Sequence, residues 1–306
     1  MTGQRVLVVG YGSIGARHAR LLGEMGCDVA VVSAREVDFS QRHLTLRQGW
    51  LAHQPTLVIV ANATAAHHAA LAELAHLGHS GDVLVEKPVF DHALPMPSNG
   101  FRQLRVAYNL RFHPMLVRLR EALANQPVIS VQAYVGQYLP SWRPGTDYRL
   151  CYSAHADQGG GALLDLSHDL DYLAWLIGPW RRVAAIGGRM SELEITSDDV
   201  FSLLYESERC PVIDVQLNYL DRLGRRRVIV NTTNHTYEAD LVRNTLRVDG
   251  EEQHFPIERD ATYRAMHAAM LSGEPAQACT AQEALDILAL CDAARDAAAC
   301  GHWRQR

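Results

Sequence analysis

Apolar positions in the first third of the chain fall into short runs separated by amphipathic stretches. Arg5–Gly10 (RVLVVG) is a β-branched run closed by glycine, and Ser13–Met25 sets Ile14, Leu21, Leu22 and Met25 at helical spacing. Asp28–Ser33, Thr56–Ala61 and Asp82–Val85 read as further strands, with helices over Gln41–His53 and Ala65–Leu77. Strands that are apolar along their whole length are covered on both faces, so this alternation predicts a doubly wound parallel sheet. Between Val89 and Gln103 the segment LPMPSNGF stands where a crossover helix is expected, and Leu104–Tyr108 resumes the strand pattern. One crossover helix is therefore expected to be shortened or lost.

From His113 the period changes. A helix over Pro114–Leu123 leads to a strand over Val128–Tyr138, an aromatic and arginine-rich loop, and a helix over Ala162–Ile177 that follows three glycines. Val183–Ile186, Val200–Tyr205, Val212–Tyr219, Arg226–Asn231 and Thr245–Val248 then alternate with period 2, as in an antiparallel sheet with one solvated face. Helices over Ala261–Leu271 and Gln282–Ala299 close the chain. The expected architecture is α/β: a Rossmann domain over 1–112, then an α+β domain over 113–306 with a large, mostly antiparallel sheet. A chain of 306 residues accommodates two such domains at about 150 residues each.

Composition narrows the class of function. A net charge of −5 gives no global attraction for phosphate backbones and argues against a nucleic-acid partner. No apolar run reaches the roughly 18 residues of a membrane span. The six cysteines are scattered without disulfide or metal spacing, and the first residues enter a strand without a leader pattern. Together these read as a cytoplasmic protein with no membrane partner and no metal. Residues 1–112 hold 10 cationic and 8 anionic side chains against 19 and 26 in the remainder, so the first domain is the more basic.

Gly10-Tyr11-Gly12-Ser13-Ile14-Gly15 is G-x-G-x-x-G after a strand and at the start of a helix. The pattern serves a tight turn, close backbone approach to a pyrophosphate, and helix N–H groups aimed at phosphate. Gly10, Gly12, Ser13, Ile14 and Gly15 are thus candidate dinucleotide contacts. The second strand ends in Ser33-Ala34-Arg35, where a site for NAD usually carries an acidic residue for the ribose hydroxyl. Ser33 and Arg35 suit a 2′-phosphate, which favours NADP over NAD; Arg35 as an ordinary solvated arginine is the alternative.

Of the 29 cationic residues, 28 are arginine and one is lysine, Lys87. Mutational bias accounts for the arginines. Under such bias, a surviving lysine marks a place where a compact ammonium with a tunable pKa is needed. Lys87 follows the strand Asp82–Val85, at the carboxyl end where doubly wound sheets place ligands. Gly159–Asp171 (GGGALLDLSHDLD) is the other constellation, with Asp165, His168 and Asp169 at i, i+3, i+4 spacing. A histidine flanked by carboxylates can exchange a hydroxyl proton near neutral pH; a solvated acidic face is the alternative for Asp169 and Asp171.

These segments together resemble the glucose–fructose oxidoreductase/inositol dehydrogenase (Gfo/Idh/MocA) family: GYGSIGARH, ANATAAHH (61–68), EKP (86–88), YNLRFHP (108–114), GGGALLDLSHDLDYLAWLIG (159–178) and TAQEALDILAL (280–290). The resemblance implies that Lys87, His168 and Asp165 are catalytic. It places Asn62, Thr64, His67, Glu86, Lys87 and Asn109 on the cofactor, and Arg111, Asp165 and His168 on the substrate. It also implies a homodimer or homotetramer formed through the second domain's sheet. The family's common D-x-G-x-H is here Asp165-Leu166-Ser167-His168, one residue shorter, as in a subgroup linked to surface-sugar biosynthesis. In the loop 136–152, Trp142, Tyr148 and Tyr152 could stack on sugar faces, and Arg143 and Arg149 could hold phosphate or carboxylate.

The expected function is hydride transfer between NAD(P) and a sugar-like hydroxyl or carbonyl, on a sugar nucleotide or amino sugar. The rivals are a non-catalytic NADP(H)-sensing binding protein and a lyase or glycosidase that oxidises its sugar transiently.

Overall fold

The protein is described by a computed structural model covering residues 3–306. The chain forms two compact units, 1–112 with 260–284 and 113–259 with 285–306.

The first unit is built on β1 (Arg5–Val9), α1 (Ser13–Glu24), β2 (Asp28–Val32), β3 (Arg42–His43), α2 (Leu46–His53), β4 (Leu57–Val60), α3 (His67–His76), β5 (Asp82–Val85) and β6 (Gln103–Val106). Its strands lie in the order β6-β5-β4-β1-β2-β3, all neighbours parallel, and Cys279–Thr280 adds an antiparallel edge against β6. The expected doubly wound sheet is present. The run Gln41–His53 is not all helix: Arg42–His43 pairs with β2, and the helix starts at Leu46, where the Thr45 hydroxyl accepts from the Gln48 N–H. No helix joins β5 to β6; Val89 and Phe90, both fully buried, fill the space instead.

The sequence assigned Ala261–Leu271 to the second domain. The helix Ala261–Ser272 belongs instead to the first unit, where Met266 and Met270 pack with Val8, Leu22, Val31 and Ile59. Its apolar residues match either unit equally well by period, so the sequence pattern could not decide its partner.

The second unit contains α4 (Pro114–Leu123), β7 (Val128–Gly136), α5 (Ala162–Asp165), α6 (His168–Ile177) and β8 to β14: Trp180–Gly188, Val200–Ser207, Val212–Asn218, Arg225–Thr232, Thr236–Asp240, Thr245–Val248 and Glu251–His254. The sheet runs β14-β13-β12-β11-β7-β10-β9-β8, with Arg304–Gln305 beyond β8. Its neighbours are antiparallel except β7 and β10. Side chains alternate as expected: Val131, Ala133 and Val135 of β7 are buried, whereas Ile129 and Gln132 face outward. Strands β12 and β14 escaped the sequence reading; β14 (EEQH) is exposed at every position and has no apolar alternation to detect. Among the described residues, no helix is long and apolar enough to cross a membrane.

Met266 is fully buried in the first unit's core, so Met266→Ala should cost about 2–5 kcal/mol. Denaturant unfolding followed on the first unit checks this; a loss below about 0.5 kcal/mol, the scale of a surface change, would contradict the assignment of the helix.

Candidate functional site

In the first unit the glycine loop turns β1 into α1. The first amide to bond within the helix is that of Ala16, to the Gly12 carbonyl at 2.9 Å, which leaves the N–H groups of Ser13, Ile14 and Gly15 directed out of the helix end. Gly15 is required by close packing, since a Cβ there would stand 2.1 Å from the Gly10 carbonyl oxygen. At Gly12 a Cβ would meet nothing within 4 Å. That open space before free helix amides is a cradle for an anionic group. Beside it, the Asn62 Oδ1 is buried and has no hydrogen-bond donor among the described residues, so an acceptor awaits a ligand's N–H or O–H. The loop's chemistry therefore fits a dinucleotide.

At the end of β2 the Ser33 hydroxyl donates to the Arg35 carbonyl at 2.9 Å, and Arg35 itself is exposed. Arg42 donates to the Ser33 carbonyl at 3.2 Å, which brings a second guanidinium to the same strand end. No carboxylate occupies positions 33–35.

The segment after β5 is tied down from several sides. Glu86 is buried and Lys87 half-buried at the strand's carboxyl end, and the Lys87–Pro88 peptide is cis. The Lys87 backbone N–H donates to Glu86 Oε2 at 3.1 Å, while His18 Nε2 lies 2.8 Å from Glu86 Oε1. His67, buried under the same segment, sets Nδ1 3.2 and 3.1 Å from the Pro88 and Val89 carbonyls and Nε2 3.3 Å from that of Asn62. Burial holds this imidazole below its usual range, so it is neutral at pH 7. His67 therefore links the loop bearing Asn62 and Thr64 to the loop bearing Lys87. Asn109 is also buried, its amide donating to the Thr262 hydroxyl at 2.7 Å.

Arg111, expected as a substrate contact, lies buried within the first unit. It is 2% exposed and donates to Glu283 at 3.0 Å. Against the upward push of burial, its charge holds the Glu283 carboxyl below the usual range. The guanidinium is a buried structural cation of the first unit.

In the second unit the expected helix Ala162–Ile177 is broken. α5 ends at Asp165 and α6 begins at His168, and at the junction the Ser167 N–H and hydroxyl both turn back to the Leu164 carbonyl, at 3.3 and 2.7 Å. The glycine triplet opens α5 under Asp198, which accepts from the Leu163 N–H at 2.9 Å; a Cβ on Gly161, at φ +121°, would collide with that carboxylate. Asp165 and Asp169 have different partners. Asp165 accepts from the Tyr219 hydroxyl at 2.6 Å, whereas Asp169 accepts from Tyr172 at 2.7 Å and lies 3.2 Å from Arg226. Neither Asp169 nor Asp171 is solvated.

Tyr152 also bonds Asp165 through its hydroxyl, with its ring partly exposed; burial, and then the Asp165 charge, push the Tyr152 and Tyr219 hydroxyls well above their usual range. Tyr219, missed in the sequence, carries Trp142 edge-on at 5.2 Å. Trp142, Arg143 and Tyr148 line one narrow cleft. Arg143 is exposed there. Arg149, expected to hold phosphate or carboxylate, is exposed and donates to Asp147 at 2.8 Å and to Glu194 at 3.3 Å. The Tyr148 hydroxyl accepts from the Glu194 N–H at 3.2 Å.

Residues 117–252 match a family model described as the GFO/IDH/MocA C-terminal domain, and residues 1–86 match one described as putative NAD(P)-binding. No curated protein matches the chain by sequence. Among solved structures, GenD2 from gentamicin A biosynthesis in complex with NAD is 23% identical, with TM-score 0.80 over 100% of this chain and 97% of that one. Levoglucosan dehydrogenase in complex with NADH is 15% identical, with TM-score 0.84 over 99% of each chain. The WlbA dehydrogenase from Bordetella pertussis, in complex with NADH and UDP-GlcNAcA, is 18% identical, with TM-score 0.81 over 99% and 98%. At these identities the likeness is one of fold.

Because a Cβ at Gly12 meets no protein atom, Gly12→Val should fold normally yet weaken NAD(P)H binding by about 100-fold or more, the scale of several lost phosphate hydrogen bonds. Fluorescence titration beside a melting curve checks it; unchanged affinity would show that the cradle is not the cofactor's seat.

Proposed function

We propose that the chain, whose residues 117–252 match the GFO/IDH/MocA C-terminal domain and 1–86 a putative NAD(P)-binding domain, is a nicotinamide-dependent oxidoreductase of that family acting on a ring hydroxyl or carbonyl of a sugar, on a sugar nucleotide or amino sugar. The observation that carries this reading is Lys87, the one lysine of the chain, fixed at the carboxyl end of β5 in the unit that bears the glycine cradle. The dehydrogenases of similar fold, one of them in complex with a sugar nucleotide, support the substrate class.

Gly12, Ser13, Ile14 and Gly15 would hold the pyrophosphate, with Asn62, Thr64 and Glu86 along the rest of the dinucleotide. A bound nicotinamide would supply the hydride acceptor for the sugar's carbinol carbon, or the donor for the carbonyl in reverse. His168 takes the hydroxyl proton as that hydride leaves, and gives it back in reverse. Lys87 presents its ammonium to the same oxygen and stabilises the negative charge that builds there. Asp165, held by Tyr219 and Tyr152, fixes the end of α5, just ahead of the break before His168. Trp142 and Arg143 suit the far part of the substrate, an aromatic edge for a sugar or base and a cation for phosphate. Exposed Ile186, Leu204 and Val212 on the large sheet support self-association through it.

NADP is the proposed cofactor. Arg35 and Arg42 at the end of β2, with no carboxylate at 33–35, favour a 2′-phosphate over a free ribose hydroxyl. Arg35→Ser should weaken NADPH binding about tenfold or more, the worth of one charge-assisted hydrogen bond, and leave NADH unchanged. Equal wild-type affinity for the two cofactors would sink the preference.

Lys87→Ala and His168→Ala should each lower kcat by about 100-fold or more while the cofactor's Kd changes little. Absorbance of reduced cofactor across a sugar and sugar-nucleotide panel provides the test. Wild-type turnover in either variant would overturn the assignment; tight cofactor binding without any turnover in the wild type would favour a sensing protein.

A further inference from the structure

The core beneath Lys87 carries a chain of polar side chains that the hydride reaction does not itself require. His18 of α1 is fully buried, with Nε2 2.8 Å from Glu86 Oε1 and Nδ1 2.7 Å from Nε2 of His267. His267, also fully buried, comes from the helix Ala261–Ser272. Its Nδ1 is buried and has no hydrogen-bond partner among the described residues.

The hydrogen-bond geometry favours one arrangement of the protons. Burial, the largest cause, holds His267 far below the ordinary imidazole range, so the ring is neutral at pH 7 and carries one proton. On Nδ1 that proton would be a buried donor without an acceptor, a cost of about 1–3 kcal/mol. On Nε2 it is given to His18 Nδ1. His18 then has its own proton on Nε2 and gives it to Glu86. The chain runs His267 to His18 to Glu86 Oε1, and the carboxylate's other oxygen accepts the Lys87 N–H.

Well-packed apolar residues in place of such a chain would be as stable or more so. What apolar residues cannot do is hold a carboxylate in one rotamer. His18 is itself held between rings, with Tyr263 edge-on at 5.7 Å and His267 at 5.0 Å. We propose that His18 and His267 are positioning residues of the reaction: through Glu86 they fix the backbone of Lys87 and thereby the aim of its ammonium. This inference rests on the reading of Lys87 as the group that meets the reacting oxygen. A misplacement of about 1 Å at such a group costs about 100-fold in rate.

Two measurements separate the inference from its premise. Nitrogen-15 spectra of the histidine rings in the wild-type protein need no substrate; they should show both His18 and His267 protonated at Nε2. A proton on His267 Nδ1 would overturn the chain. In the holoenzyme, His267→Leu removes the donor to His18, whereas His267→Gln can restore it with its amide. His267→Leu should lower kcat by about 10–100-fold with KM and cofactor Kd little changed, and His267→Gln should recover most of that loss. Wild-type kcat in His267→Leu, or an equal loss in both variants, would overturn the positioning role, provided Lys87→Ala is inactive. Full activity in Lys87→Ala would instead remove the premise, whatever the histidine spectra show.

Discussion

The helix Ala261–Ser272 must lie against α1 for the first unit to have both a core and a site. It supplies Met266 and Met270 to the apolar cluster of the parallel sheet. From the same turns it supplies Thr262 to Asn109, Tyr263 to the edge of His18, and His267 to the ring nitrogen of His18. A segment about 150 residues downstream of the sheet it completes thus sets the geometry at the end of β5. One piece of packing serves both the core and Glu86, since the side chains that fill the core alternate with those that meet Asn109 and His18.

The second unit solves a related problem with a break instead of a graft. A continuous helix over Ala162–Ile177 would put Asp165, His168 and Asp169 on one face. The junction at Leu166–Ser167 sends Asp165 to Tyr219 and Asp169 to Tyr172 and Arg226. His168 then stands at the first position of α6, half-buried, where a side chain can be reached from solvent. Buried carboxylates with tyrosine donors on either side of the break tie down both helix ends.

Much of this was legible in local sequence and some was not. The strands β1, β2, β4 and β5, the glycine loop and the place of Lys87 follow from apolar runs and their punctuation, because each is decided by neighbours within a few residues. The family resemblance also followed from such local segments. Long-range choices left no local trace. The period of Ala261–Leu271 does not name the sheet it covers, and the exposed strand Glu251–His254 has no alternation to read. Arg111 looks like any basic loop residue until Glu283, far along the chain, is placed beside it. The ion pairs of Arg149 with Asp147 and Glu194 left no trace in the local pattern either. His18 sits in the first helix as one of fifteen histidines. Only the pairing with Glu86 and His267 distinguishes it.

The proposed function depends on one chemical event, direct hydride passage between a sugar carbon and the nicotinamide. Label transfer tests that event most directly. A sugar nucleotide bearing deuterium on its reacting carbinol carbon is incubated with the wild-type enzyme and oxidised cofactor, and the reduced cofactor and solvent are analysed by mass spectrometry and NMR. The account predicts deuterium on the nicotinamide ring and none in the water. Deuterium released to solvent, or a product formed without labelled cofactor, would contradict it.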